Sequence, residues 1–128
     1  MASQTPLSGL VLLAHGARDA RWSEPLERLR NRIAERAPHV PVELAFLEHL
    51  QPDLAGAAGR LADAGCAAIT IVPLFLGQGG HVRRDVPERV DALRRQYPAI
   101  DVRTAEAIGD DDGVIDALAV YCLAAIRA

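Results

Sequence analysis

The sequence predicts a three-layer α/β domain built on a four-stranded parallel sheet with helices on both faces. Two observations carry that prediction, and a third bounds it. Short apolar runs alternate four times with longer segments in which apolar residues recur every three or four positions. The runs are rich in Val, Ile and Leu with no polar alternation, as expected of strands covered on both faces by right-handed crossover helices. The chain has 128 residues, half of them apolar. A single domain of that size buries roughly two thirds of its unfolded surface.

Taken in order, a polar arm over residues 1–8 is expected to precede one domain spanning 9–128. Gly9 to Ala14 reads as a buried strand. Trp22, Leu26, Leu29, Ile33 and Ala37 then fall on one helical face, with Ser23 as a candidate N-cap, Pro25 tolerated in the first turn, and Pro38 and Pro41 ending the helix. Val42 to Glu48 reads as the second strand. Pro52 opens a helix that carries Leu54, Ala57, Ala58, Leu61 and Ala62 on one side and closes at Gly65. Ala67 to Leu76 is the third strand. Asp85 with Glu88 three positions later resembles a capping box for a helix whose apolar face is Val86, Val90, Leu93 and Tyr97, which leaves His81 to Arg84 in the preceding loop or first turn. Pro98 ends that helix, and Ile100 to Ala105 is a weaker fourth strand. Asp110 to Asp112 caps a last helix with an apolar stripe of Ile115, Leu118, Cys122 and Ile126.

Composition removes several chemistries. All 14 cationic residues are arginine, so no Schiff-base lysine and no phosphate-loop lysine exists in the chain. Ser3, Ser8 and Ser23 are the only serines, and none lies in a G-x-S-x-G elbow. A net charge of −3 with arginines dispersed through the helices gives no basic field for nucleic acid. Cys66 and Cys122 lie far apart in apolar surroundings without C-x-x-C spacing and read as buried, reduced thiols. The first residues lack the basic region of a secretion signal, and no apolar run reaches the ~18 residues of a membrane span. A soluble cytoplasmic protein with no membrane partner is expected.

If the strand order is 2-1-3-4, the crossover direction reverses between the first and third strands and opens a crevice at their carboxyl ends, where ligands bind in open α/β sheets. His15 follows the first strand, Glu48 ends the second, and His81 follows the glycine cluster Gly77, Gly79 and Gly80 after the third. Two imidazoles and a carboxylate gathered there make a borderline ligand set with open coordination positions for a divalent metal. Arg83 and Arg84, beside a helix start, favour a ligand bearing carboxylates or phosphates. His39, beside Pro38 in a turn, reads as a structural residue. His49 is expected to point away from the site if the second strand continues through it.

Three blocks, Leu12-Leu-Ala-His-Gly-Ala-Arg-Asp19, Val42-Glu-Leu-Ala-Phe-Leu-Glu48 and Val72-Pro-Leu-Phe-Leu-Gly-Gln-Gly-Gly-His-Val-Arg-Arg-Asp-Val-Pro87, together resemble the short form of the sirohydrochlorin cobaltochelatase/ferrochelatase family. The likeness covers nearly the whole chain. It implies a chelatase-like (flavodoxin-like) fold and a homodimer, since one short subunit corresponds to half of the longer two-domain enzymes. It further implies insertion of Co²⁺ or Fe²⁺, as substrate and with no tightly bound cofactor, into sirohydrochlorin, an acidic tetrapyrrole of cobalamin and siroheme synthesis bearing eight carboxylates. By the same likeness His15 and His81 bind the incoming metal with Glu48 assisting. Arg83, Arg84 and Arg18, together with Gly79 and Gly80, are expected around the carboxylated substrate. Ala17 stands where such proteins often have serine, and Gly77-Gln78 where an aromatic or apolar residue is common, which leaves the choice of metal open.

Two other functions compete. A histidine-type phosphatase also has a histidine at a strand end, but its motif needs arginine immediately before it to hold the phosphoryl group, and Ala14 stands there. A non-catalytic flavodoxin-like module would bind a tetrapyrrole or nucleotide while the histidines merely pack; two Phe, two Tyr and one Trp are few for stacking a flavin ring.

Overall fold

The computed structural model describes residues 6–126. The chain runs β1 (Leu7–Ala14), a 3-10 turn (Ala20–Ser23), α1 (Glu24–Arg36), β2 (Val42–Phe46), α2 (Leu54–Asp63), β3 (Cys66–Pro73), α3 (Gly80–Gln96), β4 (Asp101–Thr104), a second 3-10 turn (Ile108–Asp110) and α4 (Asp112–Ala125). The four strands are parallel in the order β2-β1-β3-β4. The expected switch point between β1 and β3 is therefore present. Most of the anticipated arm, residues 1–5, lies outside the described residues, whereas Leu7 and Ser8 already pair with β3.

Strand alternation divides the core in two. Val11 and Leu13 of β1, Ala45 of β2, Ile69 and Ile71 of β3 and Val102 of β4 face α2 and α3, where Leu54, Ala57, Ala58 and Leu61 meet Val86, Val90 and Leu93. Leu12, Ala14, Leu44 and Phe46 face the other way and pack against Leu26 and Ile33 of α1. Helices thus lie on both faces, as the apolar runs required.

Local chemistry sets the boundaries. The Asp53 carboxylate accepts a hydrogen bond from the Gly56 amide at 2.8 Å and so caps α2 directly after Pro52. Asp53→Ala should remove about 1 kcal/mol of stability, visible as a fall of about 4 °C in the thermal midpoint followed by circular dichroism. Asp111 caps α4 in the same way, accepting from the Val114 amide at 3.1 Å. Ser23 precedes α1, yet its hydroxyl donates to the Ala20 carbonyl instead of capping the helix. Trp22 belongs to the 3-10 turn and is 71% exposed, so it is not part of the α1 packing face.

Two expectations are corrected. The helix after β3 starts at Gly80, not at Asp85, and runs through Pro87. The Asp85–Glu88 spacing imitates a capping box, but the helix begins upstream, with the Arg83 amide already bonded to the Gly79 carbonyl at 3.1 Å. Asp85 and Arg89 then become neighbours one turn apart and form an ion pair at 2.9 Å. The second correction concerns α4, whose apolar stripe is not buried: Ile115, Leu118, Cys122 and Ile126 are all exposed. Of the two cysteines only Cys66 lies in the core, where burial raises its thiol pKa. No helix among the described residues is long and apolar enough to cross a membrane.

Candidate functional site

The chain just beyond β1 and β2 and the N-terminal turns of α3 line one small cavity of about 90 Å³, formed by His15, Leu47, Glu48, His81, Val82, Asp85 and Arg89. Each of the three residues singled out in the sequence reaches it from a different element. His15 is the first residue after β1, and its ring rests on buried Phe75, centroid to centroid 4.5 Å and tilted by 42°. Contact with an aromatic that is itself fixed in the core limits the imidazole's freedom without burying it.

Glu48 arrives because the chain beyond β2 keeps following β1. The Leu47 amide donates to the Ala14 carbonyl at 3.0 Å and the Glu48 amide to the His15 carbonyl at 3.0 Å. Gly16 makes this approach possible: its φ is +91°, and a Cβ there would run into the Glu48 carbonyl oxygen. His49 then turns the chain with φ of 68°, a region that histidine occupies more readily than most side chains. Its Nε2 lies 3.9 Å from the Glu48 carboxylate, and His49 is not among the residues lining the cavity. His81 sits in the first turn of α3, one turn before Asp85 and two before Arg89.

The lining is polar except for Leu47 and Val82, which pack on the main core. Among the described residues, no three His, Cys, Asp or Glu side chains form a group that could hold a metal ion. His15, Glu48 and His81 therefore share one cavity without closing on a single point. Asp85 and Arg89 line the same cavity and were not anticipated. Their signal was present in the spacing His81-x-x-x-Asp85-x-x-x-Arg89, which puts all three on one helical face once the helix start is placed correctly.

A second, larger cleft of about 450 Å³ meets the cavity at His15. Its walls are Ala14, His15, Gly16, Ala17, Trp22, Pro25, Leu26, Phe46, Leu50 and Leu74. That volume falls in the range of about 300–1,000 Å³ typical of small-molecule sites, and its lining is mainly apolar with a single titratable group.

The residues expected around a carboxylated substrate lie outside both linings. Arg18, Arg83 and Arg84 are exposed. Arg83 Nε donates to the Gln78 carbonyl at 3.3 Å and Arg84 Nε to the Gly80 carbonyl at 3.4 Å, and among the described residues no carboxylate pairs with any of the three. Gly79 caps α3 with ordinary φ of −73°, and open space surrounds Gly77, Gly79 and Gly80. The cluster does not serve left-handed backbone; it leaves the approach to His81 unobstructed.

Comparison with known proteins returns one consistent picture. The model of the family described as CbiX matches residues 9–121. A protein of Sulfurisphaera tokodaii named sirohydrochlorin cobaltochelatase is 30% identical over 110 residues, which cover 86% of this chain and 87% of the relative. Among solved structures, a putative cobalamin (vitamin B12) biosynthesis CbiX protein from Marinobacter aquaeolei superposes with a TM-score of 0.82 at 32% identity, over 94% of this chain and 98% of the other. The sirohydrochlorin chelatase SirB from Bacillus subtilis subspecies spizizenii, solved in complex with cobalt, matches with a TM-score of 0.75 at 23% identity over 87% of this chain, but only 47% of its own length is covered. At that identity the likeness is one of fold.

Proposed function

The chain belongs to the CbiX family, and on that premise we propose that it inserts a divalent metal, Co²⁺ or Fe²⁺, into sirohydrochlorin as a cytoplasmic sirohydrochlorin chelatase, acting as a homodimer. The observation that carries this reading is the junction at His15 of a small cavity bearing two imidazoles and a carboxylate with a larger apolar cleft. A flat macrocycle fits the cleft by its ring face. A metal ion with part of its water shell fits the cavity.

The reaction exchanges one M²⁺ for the two protons on the pyrrole nitrogens, so a base and a metal donor must work at the same place. His15 borders both spaces and is the residue positioned to pass metal to the ring or to take a proton from it. His81 and Glu48 hold the ion on the cavity side, with borderline donors that bind divalent metals without sequestering them. Asp85, held by Arg89, adds a second carboxylate whose charge the guanidinium offsets. Outside the two linings, Arg18, Arg83 and Arg84 are exposed guanidinium groups that no carboxylate among the described residues pairs, suited to the peripheral carboxylates of the substrate, with Gly79 and Gly80 giving room for close approach.

Mixing the protein with sirohydrochlorin and Co²⁺, Fe²⁺ or Ni²⁺ in turn, and following the absorbance change of metallation, tests the reading and ranks the metals. Glu48→Gln removes the charge but keeps the shape. It should slow metallation roughly 10-fold or more, while the open position of the side chain leaves the melting temperature unchanged. Metallation by the wild-type protein at the spontaneous rate would overturn the chelatase reading. Tight tetrapyrrole binding with no acceleration would assign a binding module instead.

A further inference from the structure

Among the described residues, His49 is the one non-glycine residue with positive φ, and it follows Glu48 directly. Its φ is 68°, and the Leu50 amide donates across it to the Glu48 carbonyl at 2.8 Å, which closes a γ-turn of the rare, strained hand. The turn is fastened at both ends. Leu47 packs on the larger core cluster and Leu50 on the smaller one, on opposite faces of the sheet, while the Glu48 amide is held by the His15 carbonyl. Backbone strain of this kind persists only where the surrounding structure imposes it, and it concentrates at functional sites.

The turn itself does not need an imidazole. Glycine takes positive φ at no steric cost, and asparagine tolerates it. The His49 ring is exposed, so packing does not need it either. What the turn does is hold Nε2 at 3.9 Å from Glu48 Oε2, beyond the reach of a hydrogen bond. Two donors bound to one tetrahedral metal ion at about 2.1 Å each stand about 3.4 Å apart. A small rotation of the Glu48 side chain, which is 64% exposed, closes that difference around an ion. Glu48 is therefore shared: its side chain lines the small cavity with His15 and His81, and the same carboxylate has beside it a histidine that stands outside the lining.

We propose that His49 and Glu48 form an outer capture site for an aquated divalent metal ion, from which Glu48 passes the ion inward to His15 and His81. Imidazole nitrogen and carboxylate oxygen are donors that Co²⁺, Fe²⁺ and Ni²⁺ all accept. The transfer is ligand exchange with no change of oxidation state. His49 Nε2 and one Glu48 oxygen each replace a metal-bound water, the released waters return to solvent, and an imidazole nitrogen of the cavity then replaces His49 Nε2. Glu48 stays bound throughout, so the ion does not regain its full water shell between surface and cavity. Two protein donors hold an ion weakly, which suits a point of transit and not a store. A brace that only orients Glu48 would need contact between the two side chains, and the 3.9 Å gap leaves them without it.

The capture site serves the chelatase reading, on which its kinetic test rests; its binding test does not. In metallation assays His49→Asn, which keeps a side chain tolerant of positive φ and removes the imidazole, should raise the Co²⁺ concentration for half-maximal rate roughly 10-fold. The rate at saturating Co²⁺ should recover to within about twofold of wild type. His39→Asn, before β2 instead of after it, should change neither value. With no tetrapyrrole present, the full chain carrying His15→Ala and His81→Ala should still bind Co²⁺ weakly in a calorimetric titration, and adding His49→Asn should abolish that binding. Unchanged half-saturation in His49→Asn would overturn the capture site. So would a lower saturating rate at unchanged half-saturation, which would make His49 a brace for Glu48, or a His15→Ala and His81→Ala chain that binds no Co²⁺ or binds it equally well with His49→Asn added. Wild-type metallation at the spontaneous rate would overturn the chelatase reading instead, and the Co²⁺ titration alone would then decide the capture site.

Discussion

His15→Ala should slow cobalt insertion into sirohydrochlorin by roughly 10²–10⁴-fold, the span usual for removing a positioned acid–base group, and by more than His81→Ala. The order follows from placement. His15 is the one donor that borders both the polar cavity and the apolar cleft, whereas His81 lines only the cavity, from the first turn of α3. A rate loss of this kind has to be separated from simple unfolding. The imidazole is exposed, and its packing is the tilted contact with Phe75, worth about 1 kcal/mol, so the melting temperature should fall by no more than about 5 °C. Parallel measurement of metallation rate and thermal midpoint checks both halves. A rate within about threefold of wild type would move the proton or metal transfer away from His15 and leave the cleft as a binding surface only.

The fold was legible because its signals are local and redundant. Val11, Leu13, Ile69 and Ile71 are apolar in runs, as expected of strands covered on both faces; right-handed crossovers are compatible with several strand orders, so the sequence supports β2-β1-β3-β4 only as a condition, which the structure meets. His15, Glu48 and His81 could be found because each lies at a strand end or just beyond it, where topology alone fixes the neighbourhood. What stayed hidden depends on distances that topology does not set. The Asp85–Glu88 spacing imitates a capping box, which sets the start of α3 too late and hides Asp85 and Arg89 as members of the cavity. His49 was excluded on the assumption of a longer strand; it lies outside the cavity lining because the chain turns at His49 itself. The stripe on α4 was read as a packing face, as its periodicity warrants, but periodicity says that a helix must be covered and not by which molecule.

Gly16→Ala should be the most damaging single substitution near the site, lowering stability by about 3–5 kcal/mol and the thermal midpoint by about 10–20 °C. Two costs combine. At φ of +91° an L side chain is held in a region that only glycine visits freely, which costs about 1–2 kcal/mol. The added Cβ also meets the Glu48 carbonyl, and this is backbone that cannot rotate away. Relief requires the 47–49 segment to separate from β1, breaking the bonds from the Leu47 and Glu48 amides to the Ala14 and His15 carbonyls. Each such bond contributes about 1 kcal/mol, and their loss carries the Glu48 side chain away from the imidazole it is meant to work with. Metallation measured well below the new midpoint should therefore remain lower than that of Glu48→Gln, because the displaced backbone moves Leu47, which also lines the cavity, as well as removing the acid. Gly65→Ala provides the control: it has nearly the same φ, +90°, but nothing lies within 4 Å of its Cβ position. It should show the conformational cost alone, about 1–2 kcal/mol, with the metallation rate unchanged. Equal effects at the two glycines would mean that the Glu48 carbonyl yields easily, and that the register between the ends of β1 and β2 is not what brings His15 and Glu48 together.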